Sequence, residues 1–535
     1  MCEGPALGME ARKLQDKGVE RLELHQISAR EVISVLTSGR LLARNTIWNL
    51  LGQLLPMAVG LLAIPPLVCE LGVDRFGVLS LAWVVIGYFS LFDLGIGRAL
   101  TKLVADKIGA NDDATIPPLV WTSLFLMLLM GVVGCVITLA IAPWLVFTAL
   151  KVPTTLQHET MHGFQLLAAS IPLVTITSGL RGILEAQQRF RVLNFIRVPT
   201  SIFSFAGPLM VLPFSHSLVP VIIVLIVGRV LSGIAHLLAC FHAMPDLRHH
   251  MTLHRGAVGP LVRFGGWMTV SNVVSPLMVY ADRFLIGGLL PVSAVAYYTT
   301  PFDLVFRLQF IPVAVAGVLF PAFATSLASN PDRTALLVSR GIKYIFLVMF
   351  PVILIMVTFA PDGLRLWLGS AFAFHSQPVF RWIAAGTLIN SVACIPFSLI
   401  QSAGQPRITA TIHWFEAPLY LAAVWVLTKR LGIEGAAIAF TGRIAVDTVL
   451  MFIFADRMLQ HRSKLLMRLT VVMTAALLVL AGTTLLRTVI ERAVFTLIAL
   501  LVLGLAAFLA LAPDERSLLQ RFAVQHSKFR VRGAK

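Results

Sequence analysis

The chain has 535 residues, 57% of them hydrophobic and only 13% charged, with a mean hydropathy of +0.85. An ordinary soluble domain carries about 25% charged residues, and disorder requires low hydrophobicity, so both are excluded. The formal charge of +17 sits mainly in short loops between apolar segments, which points to membrane topology rather than to nucleic acid.

Residues 1–44 are charged and lack a continuous apolar run, so they are not a secretory signal peptide. Leu14, Leu22, Val32, Val35 and Leu36 recur among charges and predict a weakly amphipathic cytoplasmic tail helix. Fourteen apolar segments follow, at 45–68, 76–98, 119–141, 164–184, 195–214, 219–240, 264–288, 302–325, 341–360, 380–401, 411–428, 433–455, 466–486 and 493–512. Each has the length that about 30 Å of hydrocarbon demands of a helix. A β-barrel would instead show short alternating strands. The sequence therefore predicts an all-α polytopic membrane protein with no room for an independent soluble domain.

With residue 1 placed in the cytoplasm, most of the 43 Lys and Arg fall on the cytoplasmic side. That asymmetry predicts an even number of spans and both termini inside, with some attraction to anionic lipid. Cys2, Cys69, Cys135, Cys240 and Cys394 are odd in number and show no CxxC spacing, so they read as packing residues.

The chain repeats itself. A shift of 219 residues lays Arg44 on Arg263, Trp48 on Trp267, Gln53 on Asn272 and Val73 on Val292. Ala186-Gln187-Gln188-Arg189 resembles Gly404-Gln405-Pro406-Arg407, and Gly228-Arg229 resembles Gly442-Arg443. Six spans separate the copies, so the repeat is parallel, a standard architecture of secondary transporters with substrate between the halves.

The run Gly72-Val-Asp-Arg-Phe-Gly77, then Tyr88-Phe-Ser-Leu-Phe-Asp-Leu-Gly-Ile-Gly-Arg98, resembles the first two spans of bacterial polysaccharide exporters, the oligosaccharide-lipid flippases of the O-antigen type. Arg181-Gly-Ile-Leu-Glu-Ala-Gln-Gln-Arg189 is similar to the link after span 4 in that family. The resemblance covers residues 40–460 and extends to the superfamily of multidrug extruders and lipid II flippases. It implies a V-shaped pair of six-helix bundles, alternating access and an undecaprenyl-diphosphate-linked glycan as cargo. The implied layout is a tail at 1–44, an N-lobe at 45–240, a cytoplasmic loop at 241–263, a C-lobe at 264–455, two extra spans in 456–512 and a basic cytoplasmic tail at 513–535.

Charges inside spans are costly and mark function by default. Arg98 and Lys102, near the cytoplasmic end of span 2, suit a diphosphate or anchor the helix, with Asp93 as an acid that pairs with one of them. Asp282 and Arg283 in span 7, with Asp303 and Arg307 in span 8, are expected to cluster through the short loop between the spans. They serve as a gate network, a diphosphate site, or both. Arg229 and Arg443 match across the repeat. Arg443 has Asp447 one turn on and is expected to be neutralised there, whereas Arg229 must find a partner elsewhere or face a wet cavity. Glu416 is a coupling carboxylate or an interface residue. Gln53 and Asn272 either bond sugar hydroxyls or join helices. Arg181, Glu185 and Arg189 read as interfacial anchors.

His158-Glu159-Thr160-Met161-His162 matches the HExxH zinc signature. It is expected in the outer loop before span 4, without a third ligand, and so reads as accidental. His242, His249, His250 and His254 cluster in a short basic loop with no metal role. No phosphate-binding GxxxxGK[ST] loop is present. The sequence thus reads as an inner-membrane flippase without covalent chemistry, cofactor or metal. Its partners are the lipid-linked glycan, membrane lipids and glycan-assembly proteins such as a polymerase. The alternative is a cation-coupled multidrug extruder, expected to carry an acid in span 1, which this chain lacks.

Overall fold

The computed structural model describes residues 39–509 except 89–91, 94, 111, 188, 249–250, 255, 257, 260, 262–277, 279 and 460–464. Gln53 lies in a described helix, but its side chain, like the whole of Asn272, lies outside what the structure describes. The tail at 1–38 and the segment 510–535 also lie outside them.

The described residues are almost wholly helical, as hydrocarbon requires of backbone that cannot bond to water. The order is α1 (Gly39–Tyr88), α2 (Ile96–Gly109), α3 (Ile116–Trp144), α4 (Thr154–Ala186), α5 (Phe190–Val211) and α6 (Leu218–Ala243). Then come α7 (280–289), α8 (Ser293–Phe306), α9 (Phe310–Ser329), α10 (Pro331–Thr358), α11 (Ala360–Leu368), α12 (Ser370–Ser402), α13 (Pro406–Met458), α14 (Leu465–Gly482) and α15 (Val489–Leu509). Eight helices among the described residues are long and apolar enough to cross a membrane.

Two of the long helices are hairpins. The chain breaks at Gly72 in α1 (φ 76°) and at Gly432 in α13 (φ 64°), angles that only glycine adopts cheaply. Phe205 touches Gly60 on one arm of α1 and Trp83 on the other, so the arms run antiparallel. Counting two arms in each, α2 as a continuation of span 2, and α8 with α9 as one span joined by a tight turn at Arg307–Gln309, helices are described in thirteen of the fourteen expected spans, and most of the seventh, 264–277, lies outside the described residues.

The boundaries differ from the sequence reading in three places. Span 2 does not end at 98: α1 ends at Tyr88, and after Gly95 (φ 72°) α2 runs from Ile96 to Gly109. Span 8 begins at Ser293, one turn after the α7–α8 reversal. His158–His162 lies in the first turns of α4 rather than in a loop, because Pro153 caps a helix that starts at Thr154.

The links that follow α4 and α12 close alike. Gln187 donates to Ile183 O and Arg189 to Leu184 O; Ala403 donates to Leu399 O and Gln405 to Ile400 O. This shared bonding is the structural counterpart of the sequence repeat. The end of the bundle holding these links is termed inner, and the end holding 72, 150–153, 291–292 and 432 outer. The main apolar core runs through both halves. A second core, with Ile96, Leu100, Val120, Leu184 and Leu247, fills the inner end of the first half. α14 and α15 pack against α10, and Arg492 ties α15 to Asp362 of α11. Most of α15 faces outward, as lipid contact demands.

Candidate substrate cleft

The two halves meet at the outer end. The second arm of α1 packs along α8 so closely that a Cβ on Gly77 would stand 2.3 Å from Val292 O. Beside this contact Lys151 and the α7–α8 turn form a short bridge. Lys151 N donates to Gly287 O at 2.8 Å, Val292 N to Lys151 O at 3.3 Å, and Lys151 Nζ to Leu289 O at 2.6 Å. Trp367 of α11 donates from Nε1 to Leu61 O of α1 at 2.7 Å, again across the halves.

Beneath this seal lies a narrow cleft, lined by both arms of α1, by α5, α8 and Trp367. One wall is aromatic: Trp83 packs edge-on to Phe76 (6.0 Å) and tilted against Phe205 (5.4 Å). The other is polar, with Thr299, Thr300, Asp303 and Arg307 on successive turns of one span. Thr300, Asp303, Leu304 and Arg307 stand at i, i+3, i+4 and i+7, so they share one face of the span.

The expected cluster of Asp282, Arg283, Asp303 and Arg307 exists, but in two parts. Arg283, only 1% exposed, donates to Asp303 at 2.6 Å and lies over the Tyr280 and Phe302 rings. Asp282 accepts from the Tyr298 and Tyr420 hydroxyls at 2.6 and 3.2 Å. Arg307 stands apart: it lies over the Phe205 ring at 5.5 Å, opens on the cleft and has no carboxylate at ion-pair distance among the described residues. Asp303 is held by Arg283, so the guanidinium of Arg307 is the uncompensated charge of the cleft.

Behind Asp282, α13 carries a second polar group. Arg443 does not pair with Asp447, as the one-turn spacing suggests. It reaches Glu416 on the facing arm at 3.9 Å, while Asp447 faces His413 at 3.5 Å. The hairpin at Gly432 sets the two arms side by side, so cross-arm partners replace the local one. The carboxylate oxygens of Glu416 have no hydrogen-bond partner among the described residues, and the ligand atoms of His413, Glu416 and Asp447 lie within 4.8 Å of one another.

The remaining predicted residues are dispersed. Asp93 pairs with neither Arg98 nor Lys102. Its carboxylate accepts from Gly95 N (2.8 Å) and from Ser178 of α4 (3.0 Å), and so satisfies the backbone freed by the break before α2. Arg98 and Lys102 are exposed on α2, away from the cleft lining. Arg229 is half-buried in α6 and meets no carboxylate among the described residues. Arg181 pairs with Glu185 one turn on, at 3.4 Å. Glu159 of the HExxH stretch binds Arg75 (3.2 Å) and accepts the Leu218 N–H at the start of α6, so its carboxylate is structurally engaged. Sequence reasoning missed Trp83, Thr300 and Trp367. Tryptophan or threonine in an apolar run carries no local mark; only the cleft distinguishes them.

The description "Polysaccharide biosynthesis protein" belongs to a family whose pattern matches residues 42–327, more than half of the chain. The chain belongs to this family. Within the polysaccharide biosynthesis proteins, it is 29% identical over 414 residues to the "Putative O-antigen transporter" of Shigella flexneri, covering 76% of this chain and 96% of the relative. An inward-facing multidrug transporter of the MATE family, 15% identical, shares the fold at a TM-score of 0.64 over 77% of this chain and 99% of its own. The lipid II flippase MurJ in an inward closed conformation shares it at 0.63, with 11% identity over 90% and 99%. The fold of this polysaccharide biosynthesis protein is thus that of a polytopic transporter.

Proposed function

We propose that this protein is an inner-membrane flippase that moves a diphosphate-linked oligosaccharide on a polyprenyl lipid from the cytoplasmic to the periplasmic leaflet. Transport involves no covalent chemistry. The observation that carries the reading is the cleft between the halves, sealed at the outer end and holding the uncompensated guanidinium of Arg307. The Arg307 side chain is exposed to the cleft, so its charge is open to an incoming anion. A diphosphate, whose oxygens match the planar fork of arginine, neutralises it on arrival.

In this reading the inner end faces the cytoplasm, both termini are cytoplasmic, and residues 45–240 and 264–455 form the two lobes. Arg307 receives the diphosphate. Arg98 and Lys102, at the inner end, attract the anionic head before entry, and Arg229 offers a further anion contact in the N-lobe. Gln53 and Asn272 are assigned to the glycan path. Arg283, Asp282 and Asp303 hold the outer half of the C-lobe in one arrangement. Glu416, Arg443 and Asp447, whose loose contacts exchange partners easily, couple rearrangement of α13 to an ion. Asp93 stabilises the break in span 2. The prenyl chain stays in lipid, and polymerase and ligase enzymes take the delivered glycan.

The test is leaflet assignment of the lipid-linked glycan in cells with and without the protein. Depletion is expected to trap glycan on the cytoplasmic leaflet, and Arg307→Gln to reproduce the trap at normal protein level. Unchanged glycan export with raised sensitivity to cationic drugs would transfer the assignment to a multidrug extruder.

A further inference from the structure

The cleft holds more than a cation. Two of its lining polar atoms, Trp83 Nε1 and Thr300 Oγ1, are buried and have no hydrogen-bond partner among the described residues. Thr300 is 4% exposed. Some membrane threonines satisfy themselves on the preceding turn, as Thr122 does on Pro118 O, Thr177 on Leu173 O, Thr200 on Ile196 O and Thr358 on Leu354 O. Thr160, Thr387, Thr428, Thr448 and Thr496 share the unsatisfied state of Thr300, but of these six only Thr300 lines the cleft. Such a group costs stability unless a ligand completes it.

We infer that the outer part of the cleft is a sugar subsite, which reads the first hexose of the glycan by its hydroxyls and its ring face. The inference rests on the flippase reading and names the half of the substrate that arginine does not explain. A pyranose ring has hydroxyls at its edge and C–H groups on its faces. Trp83 Nε1 donates to one hydroxyl, and Thr300 Oγ1 donates to or accepts from another. The rings of Trp83, Phe205 and Trp367 present apolar surface to the C–H face, the mixture of aromatic walls and few polar groups that small-molecule sites use. Thr300 and Arg307 lie seven residues apart on one span, about 10 Å along the axis at 1.5 Å per residue. Arg307 is the deeper of the two, toward mid-membrane. The phosphates therefore sit at the inner edge of the cleft and the sugar above them, against the outer seal. The sugar completes two hydrogen bonds only in the occupied cleft, so Trp83 and Thr300 determine specificity.

The test is binding to the purified full-length protein in lipid nanodiscs. The probes are farnesyl diphosphate, bare or carrying glucose, galactose, N-acetylglucosamine or N-acetylgalactosamine. At least one sugar-bearing probe is expected to bind about tenfold tighter than the bare one. Trp83→Phe keeps the ring and loses the N–H; Thr300→Val keeps the shape and loses the hydroxyl. Each is expected to weaken that sugar probe by roughly three- to tenfold and to leave bare farnesyl diphosphate unchanged, at an unchanged melting temperature. Arg307→Gln weakens all probes. If sugar adds nothing, or if both variants weaken bare and sugar-bearing probes alike, the sugar subsite is refuted, while bare diphosphate binding lost in Arg307→Gln keeps the flippase reading. If wild type binds no probe, both fall.

Discussion

The seal above the cleft rests on one residue that has no side chain. At Gly77 the Cβ of alanine would stand 2.3 Å from Val292 O and 3.0 Å from its carbonyl carbon. Carbon and oxygen rarely approach closer than about 3.3 Å, so α1 and α8 must part by roughly 1 Å to admit a methyl group. Overpacking of this kind costs about 1–3 kcal/mol. The penalty falls only on the state in which the two helices touch, which is the outer-closed state. Gly77→Ala is therefore expected to shift the closed-to-open ratio toward opening by about 5- to 150-fold. Ser80 reports on this directly, because it lines the cleft and is 4% exposed. In a cysteine-free background, Ser80→Cys should react with a membrane-impermeant maleimide from outside faster by that factor when Gly77→Ala is added. Ser370→Cys, exposed at the outer surface, should react at the same rate in both. Equal labelling of Ser80→Cys in the two backgrounds would refute the argument that the α1–α8 contact closes the cleft.

The same labelling assay tests the second cross-half contact. Trp367→Phe removes the 2.7 Å bond to Leu61 O, worth about 1 kcal/mol, and should raise outside labelling of Ser80→Cys about fivefold; no rise would remove Trp367 from the seal. Asp303→Asn leaves the buried guanidinium of Arg283 without its charged acceptor and should cost about 1.5–3 kcal/mol, read as a lower melting temperature in detergent. A wild-type melting temperature would mean that Asp282 alone suffices. Glu159→Gln weakens the tie among the outer ends of α1, α4 and α6. It should cost about 1 kcal/mol at low salt, with a smaller difference near 1 M salt, since screening shortens the reach of a partly exposed pair. A salt-independent loss would assign the effect to the Leu218 N–H bond instead.

The all-helical, polytopic class was legible because hydrocarbon leaves the backbone no alternative to helix, so length and composition suffice. The break in span 2 was not. Asp93-Leu-Gly-Ile-Gly97 continues an apolar run, and the group that satisfies Asp93 alongside Gly95 N is Ser178, 85 residues away. The clustering of Arg283 with Asp303 was legible because the three-residue reversal at 290–292 brings α7 and α8 together whatever else the fold does. Arg443 shows the opposite case. The one-turn rule offers Asp447, yet a pair along a single helix is worth only a few tenths of a kcal/mol, and the glycine hairpin brings a whole second helix alongside. The facing Glu416 and His413 then divide the charges between them.

That division explains why the ionisable residues of the C-lobe do not share one task. Arg283 is charge-matched by Asp303 and braced by two rings, and Arg443 has Glu416, with Tyr420 and Phe440 beneath its guanidinium. Neither has a free face for a ligand in this state. Arg307 has an aromatic ring for support and no carboxylate, because Arg283 has taken the acid one turn before it. An acid shared between two arginines would have left both half-neutralised and neither able to discriminate between an empty and an anion-filled cleft. Giving Asp303 to Arg283 leaves Arg307 without a carboxylate partner among the described residues, and in the proposed flippase reading the diphosphate of the substrate supplies that counter-charge. In that reading an anion that enters from the inner end neutralises Arg307 at the same point where the outer seal must next part.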